Sequence, residues 1–225
     1  MPVLEGLQRL VSRFRHAQLL AMLALLLLSH PYVEGNFAEV GMNLLLLLTL
    51  ASAVLACAVK RSQLVVGLVL MMLLQVAAWY RILSDIDSVT VLYSVLSLGF
   101  FGFVIILVLG DVFRARVVSK DTIAGALAAY LLIGLWWAFA YALLETLVPG
   151  SIVGLRGGGT PGGYDQFLGY SFITLTTLGY GNVVPGNVEA DTLASAEAVV
   201  GQLYLTVLVA RLVALNLTAD RNADE

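Results

Sequence analysis

The stretch whose residue types and spacing could do chemistry is Tyr164–Pro185, YDQFLGYSFITLTTLGYGNVVP, which lies between two long apolar blocks. Asp165 has a side chain suited to capping a helix start. Gln166 to Thr176 is compatible with a helix, but it is too short for a bilayer core that takes roughly 17–25 apolar residues. Thr177-Leu178-Gly179-Tyr180-Gly181 follows, and two glycines around a tyrosine suit a backbone with unusual dihedrals. At membrane depth, non-helical backbone is tolerated only where protein buries it or where it lines a water-filled cavity. The pattern therefore predicts a short re-entrant helix followed by an extended, cavity-lining strand. Such chemistry belongs to the main chain, and no covalent step is implied.

A few side chains outside this stretch are candidates as well. Ionisable residues inside apolar spans are functional candidates by default, and Glu145 and Glu197 are two of them. Either accepts hydrogen bonds from backbone behind the 177–181 segment, or both carboxylates reach the membrane interface. Gly201 lies in the last apolar block. A glycine inside a helix costs up to about 1 kcal/mol relative to alanine, which suits a hinge or a close helix packing; the hinge is the favoured reading. One helical face runs through Gln202, Leu205 or Thr206, Val209 and Val213. If that face lines a cavity, Gln202 is its polar member nearest the 177–181 segment and Val209 to Val213 form a hydrophobic gate. The other reading is packing against the preceding helix.

The elements that must position these residues are apolar blocks. Hydrophobic residues make up 60% of the 225 and charged residues 12%, against about 25% charged in soluble domains. This composition excludes a soluble enzyme and a disordered chain, and no basic run points to nucleic acid. Six blocks are long enough to be read as spans: Ala17–Val33, Gly41–Val59, Leu64–Tyr80, Val89–Gly110, Ile123–Leu144 and Leu193–Val213. The first is the weakest, because Ser29, His30 and Pro31 follow its apolar core. With the N-terminus inside, ten of the twelve Lys and Arg fall on the cytoplasmic side, and only Arg81 and Arg156 fall outside. This positive-inside bias predicts a multi-pass protein of the plasma membrane with both termini cytoplasmic. Acidic residues lean to the outer side, either by exclusion of Lys and Arg or as a field that concentrates cations.

Four parts are expected. Residues 1–16 form an interfacial amphipathic segment. Residues 17–111 form a four-helix bundle. Residues 121–217 hold two helices with the Tyr164–Pro185 stretch between them, and residues 218–225 form a short tail. A Gly-rich tract from Gly154 to Gly163 reads as a mobile loop.

Thr174 to Gly181, TLTTLGYG, resembles the filter signature of potassium channels. Asp121 to Leu217 resembles the helix, pore-loop, helix module of bacterial potassium channels. The whole chain is similar to six-helix members of that superfamily. The resemblance implies an all-α integral membrane fold with six transmembrane helices, a re-entrant pore helix and an extended selectivity filter. It places K+ at the carbonyls of Thr177, Leu178, Gly179 and Tyr180, with Gly181 closing the filter and the Thr177 hydroxyl adding the innermost ring. Thr176, Asn182 and Glu145 take supporting positions, and the resemblance favours Glu145 over Glu197 as brace. One loop cannot surround an ion, so three identical subunits are expected as partners in a homotetramer. Membrane lipid surrounds the assembly. No cofactor, accessory subunit or enzymatic activity is implied.

The sequence departs from the commonest pattern at Leu178 (usually valine), at Asn182 (usually aspartate) and at Ile173, where some relatives carry a glutamate. The carboxylate pair that braces the filter in some relatives cannot form, which bears on inactivation more than on ion identity. In voltage-gated relatives the fourth helix carries an arginine every third residue, whereas Val89–Gly110 has no charge. The bundle is thus expected to resemble a voltage sensor without gating charges. Potassium conduction with weak or no voltage dependence follows. The alternatives are a weakly selective monovalent cation channel and a non-conducting sensor or transporter.

Overall fold

The computed structural model describes residues 15–29, 47–49, 51–52, 54, 61–83, 87–115, 119–155 and 164–223. Among these the elements run α1 (Arg15–Ser29), α2 (Arg61–Leu83), α3 (Asp87–Arg114), α4 (Lys120–Leu147), β1 (Ile152–Val153), α5 (Tyr164–Leu175), β2 (Val184–Pro185) and α6 (Val188–Ala223). Four helices are long and apolar enough to cross a membrane, within α2, α3, α4 and α6, while Arg15–Leu28 is apolar but shorter. Of the six expected spans, four are met among the described residues. The expected second block, Gly41–Val59, lies mostly outside them, and its described positions 47–49, 51–52 and 54 are helical. Residues 1–14, the greater part of the expected interfacial segment, and residues 156–163 of the Gly-rich tract also lie outside them.

The helices overrun their apolar blocks because polar caps extend them. Ser119 accepts a bond from the Thr122 N–H at 3.0 Å, so α4 starts at Lys120 rather than at the expected Ile123. Asn187 does the same for the Ala190 N–H at 2.9 Å. Glu189 and Asp191 occupy the first turn of α6, where the helix dipole favours negative charge. Thus α6 starts five residues before the expected Leu193. It also runs on to Ala223, so most of the expected tail is helical.

Contacts divide the chain into two compact units. Residues 72–102 and 132–209 form one, and residues 1–71, 103–131 and 210–225 form the other. The first unit has an aromatic core: Phe101 stacks on Phe139 with centroids 5.3 Å apart, and Tyr93 meets Phe139 edge-on at 5.9 Å. Trp136 donates its indole N–H to the Leu98 carbonyl at 3.0 Å, so this aromatic is polar-satisfied as well as packed. The short antiparallel ladder pairs Ile152 with Pro185 and Val153 with Val184.

The other unit is tied by charge. Asp121 accepts from the His16 and Ala17 backbone N–H groups at 3.1 and 3.2 Å and so caps α1 from α4. Its second oxygen meets the buried His16 ring at 2.7 Å, and Arg15 pairs with Asp111 at 2.8 Å. At the end of α3, Arg211 from α6 reaches the carbonyls of Val112, Phe113 and Ala115.

Candidate functional site

The site grows from the end of α5. Leu178 N–H donates to the Ile173 carbonyl at 2.9 Å, and Thr177 N–H donates to the Thr174 carbonyl at 2.9 Å. This six-to-one and five-to-two pair is a Schellman cap. Its left-handed position is normally a glycine, but here Thr177 holds it at φ 58°. A β-branched residue in that region is strained by on the order of 1–3 kcal/mol.

The left-handed conformation then recurs at Gly179 (φ 59°) and Gly181 (φ 75°), while Leu178 and Tyr180 have negative φ. Alternating handedness turns successive N–H groups to one side and carbonyls to the other. The N–H groups of Thr177, Leu178 and Gly179 all turn back to α5. Among the described residues, no hydrogen bond reaches the carbonyls of Thr177, Leu178, Gly179 or Tyr180. The segment is a ribbon in which positive and negative φ alternate. Leu178 is 56% and Tyr180 71% exposed in the single chain.

Replacing Thr177 with glycine tests this strain. Thr177→Gly is expected to stabilise the fold by about 1 kcal/mol, read from thermal melting. A variant no more stable than wild type would show that the strain is not stored there.

The supporting candidates are placed as follows. Thr176 donates its hydroxyl to the Phe172 carbonyl at 2.6 Å. Gln202 donates its side-chain N–H to the Thr177 hydroxyl at 3.2 Å, which brings those two candidates together. Thr206 bonds the Gln202 carbonyl on its own helix. Leu205, Val209 and Val213 are exposed in the single chain. Asn182 contributes its carbonyl to a close approach: a Cβ at Gly154 would collide with it, and Gly154 has φ 92°.

Glu145 accepts backbone N–H bonds from Gly150 and Ile152, both at 2.8 Å. It therefore holds the turn into β1, and β1 pairs with β2 beyond the 177–182 segment. Its contact with the filter candidates is indirect.

Gly201 sits in a close helix contact. α6 is unbroken there, and a Cβ at Gly201 would fall inside the shell of the Leu175 carbonyl oxygen. This contact matches the second reading, close helix packing; the hinge reading is a matter of gating. The buried positions of α6 in this unit include Ala190, Glu197, Gly201 and Leu208, a single stripe on the helix. Most of its remaining surface is exposed.

Glu197 is fully buried. The Tyr141 hydroxyl donates to one carboxyl oxygen at 2.6 Å, and Ser171 Oγ lies 2.5 Å from the other. Ser171 also bonds the Gly134 carbonyl at 2.7 Å. Neither Tyr141 nor Ser171 stood out in the sequence, since no local pattern pairs residues 26 or 56 positions apart.

These helices and the ribbon between them fall within one known family pattern. Residues 130–217 match the family described as ion channel. That match supports an ion-channel function in a membrane. No curated protein and no solved structure matches the chain.

Proposed function

We propose that the protein is a homotetrameric, potassium-selective channel that conducts passively with weak or no voltage dependence. The observation that carries this reading is the ribbon of Thr177 to Gly181. The N–H groups of Thr177, Leu178 and Gly179 are used by α5, and the four successive carbonyls of Thr177 to Tyr180 are left for a ligand. Rings of backbone carbonyls replace the hydration shell of a monovalent cation, and the C-terminal end of α5 favours positive charge. A single chain supplies one such row, so closure needs four chains about an axis. The exposed surface of α6, with polar Gln202 and Thr206 on it, suits a helix that faces both neighbouring subunits and water. Weak voltage dependence follows from the uncharged stretch Val89–Gly110, because each charge crossing the field supplies about 2.3 kcal/mol per 100 mV.

The membrane placement, with both termini cytoplasmic, rests on the distribution of Lys and Arg. The 17–111 stretch is read as the sensor-like bundle and 121–217 as the pore module. A weakly selective cation channel is the second reading, favoured by Leu178 and Asn182 at positions where the potassium channels this segment resembles usually carry valine and aspartate.

Ion flux into liposomes holding the purified protein tests the proposal. Potassium flux is expected to exceed sodium flux, to change little with membrane potential, and to vanish in Gly179→Ala, whose Cβ is disfavoured at φ 59°. Equal flux of both ions would establish the second reading. Absence of flux across a voltage and tension sweep would remove the proposal.

A further inference from the structure

We propose that Glu197 is a positioning residue for the filter segment: its carboxyl joins α4, α5 and α6 at one point, and ion selectivity depends on that joint. The inference rests on the channel reading above.

A buried carboxyl in an apolar span is costly unless it is hydrogen-bonded. Here its partners are two hydroxyls, Tyr141 from α4 and Ser171 from α5. No basic side chain bonds it among the described residues. A residue retained for helix stability alone would be served by an apolar side chain of similar volume. The geometry gives the carboxyl another task. Glu197 and Gly201 lie one turn apart on α6 and face Ser171 and Leu175, one turn apart on α5. The two pairs lock the helices in register along their shared direction. The Schellman cap starts directly after Leu175, and Gln202, next to Gly201, bonds the Thr177 hydroxyl. A slip of α5 along its axis therefore moves the Thr177 to Tyr180 carbonyls by the same amount. Gly201, having no Cβ, lets the helices approach closely, while Glu197 opposes sliding.

The proton count sharpens the test. Ser171 has one proton and two acceptors within reach, the Gly134 carbonyl at 2.7 Å and the Glu197 carboxyl at 2.5 Å. A second proton, on the carboxyl, completes both contacts. The amide of glutamine supplies an N–H at the same place and still accepts from Tyr141. Valine supplies neither.

The experiment is the potassium-to-sodium permeability ratio, from reversal potentials of reconstituted wild-type, Glu197→Gln, Glu197→Val, Ser171→Ala and Tyr141→Phe proteins, with tetramer yield measured alongside. Glu197→Gln is expected to keep the wild-type ratio. Glu197→Val, or Ser171→Ala where the valine variant fails to assemble, is expected to keep passing potassium while the ratio falls about tenfold, the effect of roughly one hydrogen bond's worth of register. Tyr141→Phe is expected to fall between. A selective wild type with equally selective, assembled Glu197→Val or Ser171→Ala overturns this inference alone. A wild type that passes both ions equally overturns the channel reading and this inference with it.

Discussion

Gly201→Ala is expected to destabilise the protein by about 3 kcal/mol and, under the channel reading, to abolish selective potassium flux. The added methyl would point at the Leu175 carbonyl oxygen and lie 3.0 Å from Leu175 Cδ1. Optimal carbon contacts lie at ~3.5–4.0 Å, and the carbonyl is backbone, so no side-chain rotation relieves the clash. Either α6 or the end of α5 must move. Leu175 is followed at once by Thr176 and by the strained Thr177, so displacement at this point passes into the ribbon. The gain in helix propensity from replacing a glycine, about 1 kcal/mol, is too small to offset the overlap. Melting of the purified protein and the reversal potential in the same preparation check both halves. A hinge role makes the opposite forecast, namely unchanged melting with an altered open probability, and that result would support it.

The Tyr164–Pro185 stretch was legible because its signals are local. The helix was too short for a span, and the glycines marked a break in regular backbone. Its hand was not legible, since Thr177 gives no hint of a left-handed residue and only the Schellman bonds to Ile173 and Thr174 explain it. The spans were visible as apolar runs, but their ends were not, because α4 and α6 start on polar caps at Ser119 and Asn187. The packing role of Gly201 and the partners of Glu197 depend on which helix faces which, and apolar helices with weak amphipathicity carry little of that information. Glu145 shows the same limit. It stood out as an ionisable residue in an apolar span, while its partners, the Gly150 and Ile152 N–H groups of its own outgoing turn, depend on the chain reversing sharply at Gly150, φ 85°.

Arg211 had seemed only one of many basic residues marking a membrane side. Its removal is expected to be among the costliest substitutions in the 1–71, 103–131 and 210–225 unit. The last carbonyls of a helix have no partner within it. Arg211 Nη1 donates to the Val112 carbonyl at 2.8 Å, and Nη2 donates to those of Phe113 and Ala115 at 2.8 and 2.9 Å. The guanidinium also sits 4.8 Å from the centroid of the Phe113 ring. Hydrogen bonds to charged groups contribute about 1.5–3 kcal/mol each, but three on one part-exposed side chain are not additive. A loss of about 3 kcal/mol is expected for Arg211→Ala. Arg211→Lys is expected to recover less than half, because a compact ammonium cannot span three carbonyls as a planar guanidinium does. Melting reads the stability, and hydrogen exchange reads the place: amides at the end of α3 are expected to exchange faster in Arg211→Ala, while those of α5 hold. Unchanged melting and exchange would show that the three bonds merely replace bonds to water. Arg211 also lies between Val209 and Val213, the residues expected to form the gate. Under the channel reading, any opening that moves this stretch of α6 must carry the end of α3 with it or break all three bonds. The same variant should therefore raise resting flux, whereas unchanged flux in a destabilised protein would confine Arg211 to holding the fold.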